Sequence, residues 1–224
     1  QKNVQKMSTY YSPNFDIRKR SKKNIKYIVY HYTGMKTDNV AIKRLTNFNS
    51  KVSCHYYIDR KGNLIQMVPD LYIAWHAGIS KWKNDKLLNK SSIGIEISNP
   101  GHQYGYESFK KKQLKCLIKI TKLLIKKYSI KKQNILGHSD ISPDRKKDPG
   151  EKFPWHYLAK KNLSIWHKLD EKKIKTFRNI NLKDNEIKKF FNNLHKIGYS
   201  KVNQNKKKLE QSNLIKAFQR KFRQ

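Results

Sequence analysis

His31 and His138 each close a short run of residues that favour β-structure, IKYIVYHY (25–32) and NILGH (134–138). Asp148 follows inside GHSDISPDRKKDPGEKFPW (137–155), where prolines and a Pro149-Gly150 turn rule out one continuous helix or strand. In an α/β sheet, strand ends face the crevice where ligands bind. Two imidazoles and a carboxylate are suitable donors for Zn²⁺, with a fourth position left for water. A strand-end histidine serves equally well as a hydrogen-bonded structural residue, and the spacing of His138 and Asp148 is not a compact motif such as HExxH. Asp140 and Asp144 are alternative carboxylates in the same loop. Residue types alone therefore leave the metal and the structural readings both open.

Glu96 is the second unusual residue. In SIGIEIS (92–98), alternation puts Ile93, Ile95 and Ile97 on one face, and Gly94 and Glu96 on the other. A carboxylate on that face could act as a general base toward an acidified water, or pair as an exposed acid with one of many lysines.

These residues need a scaffold. The helix expected from Thr37 or Asp38 through NVAIKRLTNF follows the first strand. CHYYIDRKGNLIQMV (54–68) reads as a hairpin turning at Lys61-Gly62-Asn63. Residues 108–128 carry Leu114, Leu117, Ile118, Thr121, Leu124, Ile125 and Tyr128 at helical spacing, with lysines opposite. A helix turn is expected from Pro154. EIKKFFNNLHKIGY (186–199) and LEQSNLIKAFQRKFR (209–223) each bear an apolar stripe, too little for a large core of their own. Strands alternating with helices predict an α/β fold: a central mixed β-sheet flanked by helices, followed by a small all-α C-terminal module. The expected divisions are an irregular lead-in at 1–23, a catalytic domain at 24–166, a linker at 167–183 and the helical module at 184–224.

Composition bounds the function classes. Apolar residues form 37% of the 224, enough to bury a core and to exclude wholesale disorder. Two cysteines, Cys54 and Cys116, exclude a disulfide framework and make thiolates poor candidates for a zinc site. No apolar run reaches the roughly 18 residues of a membrane span. The chain begins at Gln1, which fits either a removed export signal or a trimmed end. A net charge of +35 points to an anionic partner such as nucleic acid, a membrane surface or an acidic wall polymer, yet the lysines are spread along the chain, as drift in base composition also produces. No RNP, KH, helix-turn-helix or finger pattern supports specific nucleic-acid binding.

IVYHYTGM (28–35), VSCHYYIDRKGNLIQMV (52–68), AWHAG (74–78), NKSSIGIEISNPG (89–101) and GHSDISPDRKKDPGEKFPW (137–155), in this order, resemble the type 2 family of zinc-dependent N-acetylmuramoyl-L-alanine amidases. SPNFDIR (12–18) resembles the lead-in of longer Gram-negative members, and the likeness spans roughly residues 10–160. The resemblance implies a peptidoglycan-recognition-protein-like fold. It also implies cleavage of the amide between the lactyl group of N-acetylmuramic acid and L-alanine of the stem peptide, in wall turnover or recycling. By position, His31, His138 and Asp148 match the ligands of one Zn²⁺, and Glu96 the proposed general base. Lys146 matches a lysine thought to stabilise the oxyanion or protonate the leaving amine, while Trp75 and His76 match residues lining the substrate cleft. The resemblance makes Asp140 a loop-ordering residue. Relatives often carry tyrosine where Cys54 stands; branches with glutamate at position 96 have a small residue there, so Cys54 is expected to pack as a small hydrophobe. Some relatives recognise peptidoglycan without cutting it, which is the alternative reading; the complete ligand set favours the enzyme. The implied partner is peptidoglycan or a muropeptide, and the implied location the bacterial cell envelope, periplasmic, with the cytoplasm as alternative. NLIKAFQRKFRQ (213–224) resembles the end of a small three-helix peptidoglycan-binding-like domain. The glycine- and aspartate-rich turn usual there is replaced by GYSKVNQNKKKLEQ (198–211), so glycan binding and a packing role stand side by side.

Overall fold

A computed structural model describes residues 8–178, 180–202 and 207–223; residues 1–7 of the lead-in and 203–206 of the segment before the last helix lie outside the described residues. In chain order the elements are β1 (Ser8–Thr9), β2 (Phe15–Asp16), β3 (Tyr27–Tyr32), α1 (Asp38–Thr46), β4 (Tyr56–Ile58), β5 (Leu64–Gln66), β6 (Ile73–Ala74), β7 (Lys81–Trp82), β8 (Asp85–Lys86), β9 (Ser92–Ile97), α2 (Lys111–Tyr128), β10 (Ile135–Gly137), α3 (His138–Ile141), α4 (Trp155–Lys160), α5 (Glu171–Phe177), α6 (Asp184–Ile197) and α7 (Lys207–Phe222). The main sheet runs β1-β5-β4-β9-β3-β10, with only the β4–β5 hairpin antiparallel. It is the mixed sheet flanked by helices that the alternation predicts.

Alternation along the strands explains the layers. Ile28, Tyr30, Ile93, Ile95, Ile97, Tyr56 and Ile58 point to one face and pack on Leu117, Ile120 and Leu124 of α2 and on Trp155 and Leu158 of α4. Each such fully buried side chain is worth roughly 1.5–3 kcal/mol in transfer from water. The opposite face is covered at its two ends only. At the β4–β5 end, Tyr57, Ile65 and Met67 meet Ala41 and Leu45 of α1. At the β3–β10 end, Tyr27, Val29 and Leu136 meet Trp82, Leu194, Tyr199 and Leu214. Helices α6 and α7 thus share the core of the sheet.

Local signals account for several boundaries. Thr37 caps α1, its side-chain oxygen accepting from Val40 N at 3.3 Å. Gly62 turns the β4–β5 hairpin at φ +85°, and a Cβ there would lie 2.7 Å from the Lys112 carbonyl carbon, so only glycine fits. The buried stripe of α2 is rotated from the expected one. Gln113, Cys116 and Ile120 are inside, while Leu114, Ile118 and Ile125 are only partly covered. Gln113 turns inward because its amide links Lys110 N (3.0 Å) to Ser98 O (2.7 Å).

Two expected divisions differ. The described part of the lead-in, 8–23, holds two short strands: β1 pairs with β5, β2 with β6, and buried Arg20 donates to the carbonyls of Asp70, Asn89 and Ser92. Strands of two residues are too short to carry a periodic signal. The 167–183 segment, read as a linker, contains α5, capped by Asp170 Oδ1 accepting from Lys173 N at 2.8 Å.

Asp70 fastens the end of α2. Its carboxylate accepts from Tyr56 OH (2.6 Å), Tyr128 OH (2.6 Å) and Lys127 Nζ (2.7 Å). Burial alone would raise the carboxyl, but these donors hold it below its usual range. A group depressed on folding stabilises above its unfolded pKa of about 3.9, and that contribution is lost as pH falls through the folded value. Asp70→Asn is therefore expected to lower stability at pH 7 by roughly 1–3 kcal/mol. Thermal melts should show the gap at pH 7 and pH 5, and show it closing below about pH 4.

Candidate active site

Register brings the chemistry together. His31 in β3 lies opposite Glu96 in β9, so both side chains leave the same face of the sheet, in the gap between its two covered ends. Gly137 in β10 pairs with Tyr30, so the next residues, His138 and His31, arrive side by side. His138 does not end the strand as expected; it opens the one-turn helix α3. The loop beyond returns through Ser139 N to Asp148 O (2.9 Å), which sets the Asp148 carboxylate beside His138.

His31 Nδ1, His138 Nδ1 and Asp148 Oδ2 form a buried triangle with sides of 2.9, 3.0 and 3.0 Å. Asp140 and Asp144 are not part of the cluster that could hold a metal ion. The outer ring nitrogens define the tautomers. His138 Nε2 faces the Ala77 carbonyl at 3.1 Å and must donate to it, so in the uncharged ring a ligand binds the lone pair of Nδ1. Ser92 Oγ donates to Leu88 O at 2.5 Å and so accepts from His76 Nε2 at 3.2 Å. His76 Nδ1 is then an acceptor for His31 Nε2–H at 3.0 Å, and His31 Nδ1 also presents a lone pair. Three lone pairs converge at one point. That donor set, two imidazole Nδ1 atoms and a carboxylate oxygen, fits a divalent cation of the Zn²⁺ type.

The electrostatics agree. Burial and the neighbouring His138 pull His31 down to about 4, so it is neutral at pH 7. Burial would raise Asp148, but the two histidines hold it well below the usual carboxylate range. Burial, together with the charge of Asp148, pushes Glu96 up to about 8, against a partial opposing effect of Lys146. Glu96 Oε2 is buried with no hydrogen-bond partner, which leaves it free to accept from a molecule in the cleft. Cys54 is fully buried behind Glu96, its thiol against Met67 Sδ at 3.7 Å.

The triangle and Glu96 line a cleft of ≈ 1250 Å³, together with Trp75, His76 and Lys146. Trp75 is fixed by Nε1 donating to Asp16 Oδ1 at 2.7 Å. His76 has a second task, because it bonds to His31 from behind. Space for its ring exists only because residue 94 has no side chain: a Cβ on Gly94 would overlap the imidazole. Gly94→Ala is expected to lower stability by roughly 1–3 kcal/mol and cut turnover about 10-fold or more, measured by thermal melting and initial rates.

Some residues of the site carried no sequence signal. Arg145 Nη2 donates to Ala77 O (2.6 Å) and Ile79 O (2.5 Å), bracing the carbonyl that orients His138. Asn89 Oδ1 accepts from His76 N and Ala77 N at 3.1 and 2.7 Å. Neither differs in type or spacing from the many polar residues around it. His55 is engaged away from the cluster: Nδ1 accepts from Gly94 N at 3.0 Å, and Nε2 lies 2.9 Å from Arg20 Nη2 and 3.1 Å from Tyr72 O.

The family described as N-acetylmuramoyl-L-alanine amidase matches residues 21–151, more than half of the chain. The chain belongs to the N-acetylmuramoyl-L-alanine amidase family. Among its relatives, the amidase AmiD of Escherichia coli (strain K12) is 39% identical over 154 residues, covering 63% of this chain and 55% of AmiD, so the match spans about half of that relative. The 1,6-anhydro-N-acetylmuramyl-L-alanine amidase AmpD of Haemophilus influenzae is 32% identical over 167 residues, covering 66% of this chain and 88% of AmpD. The solved complex of E. coli AmiD with anhydro-N-acetylmuramic acid-L-Ala-D-gamma-Glu-L-Lys superposes with a TM-score of 0.75 and 32% identity, covering 93% of this chain and 85% of that one. Among the described residues, no helix is long and apolar enough to cross a membrane.

Proposed function

We propose that this member of the amidase family hydrolyses the bond between N-acetylmuramic acid and L-alanine in peptidoglycan fragments, with one Zn²⁺ held by His31, His138 and Asp148. The convergence of His31 Nδ1, His138 Nδ1 and Asp148 Oδ2, with Glu96 Oε2 left without a hydrogen-bond partner, carries the reading. When bound, Zn²⁺ would polarise the amide carbonyl and acidify a water molecule. With the charge of a bound dication favouring its ionised form, Glu96 would take the proton of the attacking water and hold it close for return to the departing alanine nitrogen. Lys146 brings positive charge to the side of the cleft where His31 and Glu96 meet, opposite charge developing on the carbonyl oxygen. Trp75 and His76 line the cleft that receives the sugar and the first peptide residues. We take residues 24–166 as the catalytic unit and the cell envelope as its place of action, since muramoyl peptides are found there; a cytoplasmic recycling role is the alternative.

Lys36, Lys43, Arg44, Lys51, Arg145, Lys146 and Lys147 line the cleft, against the two acids Glu96 and Asp148. Stem peptides carry carboxylates, so kcat/KM on soluble muropeptide is expected to fall several-fold between about 50 and 500 mM salt. A flat salt profile would remove charge steering from this account. The deciding experiment is mass spectrometry of products from intact sacculi and from soluble anhydro-muropeptides, with and without chelator. Release of free stem peptide that stops on chelation is the expected result. Binding without cleavage in the presence of Zn²⁺ would instead favour the recognition-protein reading.

A further inference from the structure

Asp140 is 1% exposed, and its carboxylate accepts three bonds: from Gly137 N at 2.8 Å, Tyr199 OH at 2.6 Å and Lys221 Nζ at 2.8 Å. Two of these donors come from the C-terminal helices, Tyr199 just past α6 and Lys221 near the end of α7. Lys221 is 3% exposed, the one lysine among the described residues that is buried. Its ammonium also donates to Ile135 O in β10 at 3.2 Å and sits 4.2 Å from the centre of the Trp155 ring. Apolar residues would hold two layers together at least as well as a buried ion pair; what a pair with three directed bonds adds is a fixed orientation. The group so fixed is the turn from β10 into α3, whose Gly137 immediately precedes His138.

We propose that Tyr199 and Lys221 are positioning residues for the metal site: by clamping Asp140 and the end of β10, the C-terminal helices set the direction of His138 Nδ1. The proposal rests on the reading of His138 as a metal ligand. It gives the helical segment a task that requires no glycan binding.

The test is the Zn²⁺ dissociation constant, by chelator competition, for wild type, His138→Ala, Tyr199→Phe, Lys221→Met, Lys221→Arg and Leu194→Val, alongside melting of the metal-free proteins. Leu194 lies in the same helix-to-sheet cluster as Tyr199 and has no polar atom to offer Asp140, so it controls for loss of packing. Tyr199→Phe and Lys221→Met are expected to weaken Zn²⁺ binding roughly 10-fold, the lower range for groups behind a ligand. Lys221→Arg keeps the positive charge but is bulkier and differs in donor geometry, so it should lose less Zn²⁺ affinity than Lys221→Met. Leu194→Val should melt lower with unchanged affinity. The clamp is overturned if Tyr199→Phe and Lys221→Met bind as tightly as wild type while melting lower, or if Leu194→Val weakens binding as much as they do. Should Lys221→Met fail to fold, Tyr199→Phe against Leu194→Val decides. A wild type without Zn²⁺ affinity, or a His138→Ala protein that binds as wild type does, overturns the ligand assignment and the clamp with it.

Discussion

Asp148→Ala is expected to yield a folded protein that retains no Zn²⁺ after dialysis and cleaves muropeptide at background rate. Asp148 Oδ2 is the one anionic corner of the triangle, 3.0 Å from each imidazole. Without it two neutral nitrogens remain, and a dication loses both a ligand and the neutralising charge. The fold should persist because Asp148 lies in a loop outside the sheet, and the backbone bond from Ser139 N to Asp148 O does not involve the removed carboxylate. Metal content by mass spectrometry and initial rates should fall together, the rate by more than about 10³-fold. A variant that keeps a tenth of wild-type turnover would place the third ligand elsewhere.

Glu96→Gln separates the two losses. The amide preserves volume and cannot accept a proton from water, so turnover should drop roughly 10²–10⁴-fold while the Zn²⁺ content stays at one ion. Stability should move the other way. A carboxyl raised from about 4.3 unfolded to about 8 folded binds its proton more tightly in the native state, so it costs stability increasingly as pH rises across that window. Removing it should leave the metal-free protein melting at or above wild type at pH 7, with the gain vanishing below about pH 4. An active variant would hand the role of base to another group.

How far the sequence led depends on whether a feature is local. The β3 run and the alternation of β9 are legible because every residue contributes to the pattern, and they locate His31 and Glu96. The turn at Gly62 and the cap at Thr37 are legible for the same reason. The order of the sheet is not, and it is the pairing of β3 with both β9 and β10 that makes neighbours of His31, Glu96 and His138. Family likeness, not spacing, set Lys146 apart from the lysines beside it. The double task of His76 depends on an empty position across the layer at Gly94, which no periodicity reveals. The buried Lys221 looks in sequence like any other lysine of a basic helix; only the fold shows that it turns inward.

His31 and His138 are 107 residues apart in the chain, joined by parallel pairing of β3 with β10. Such a contact closes a long loop before its own bonding rewards it, which makes it slow to form. A chain still emerging from the ribosome therefore holds the first imidazole long before it holds the other two donors. If His31, His138 and Asp148 hold Zn²⁺ as proposed, metal capture would be a completion signal, following only after residue 148 has been made and β10 has paired with β3.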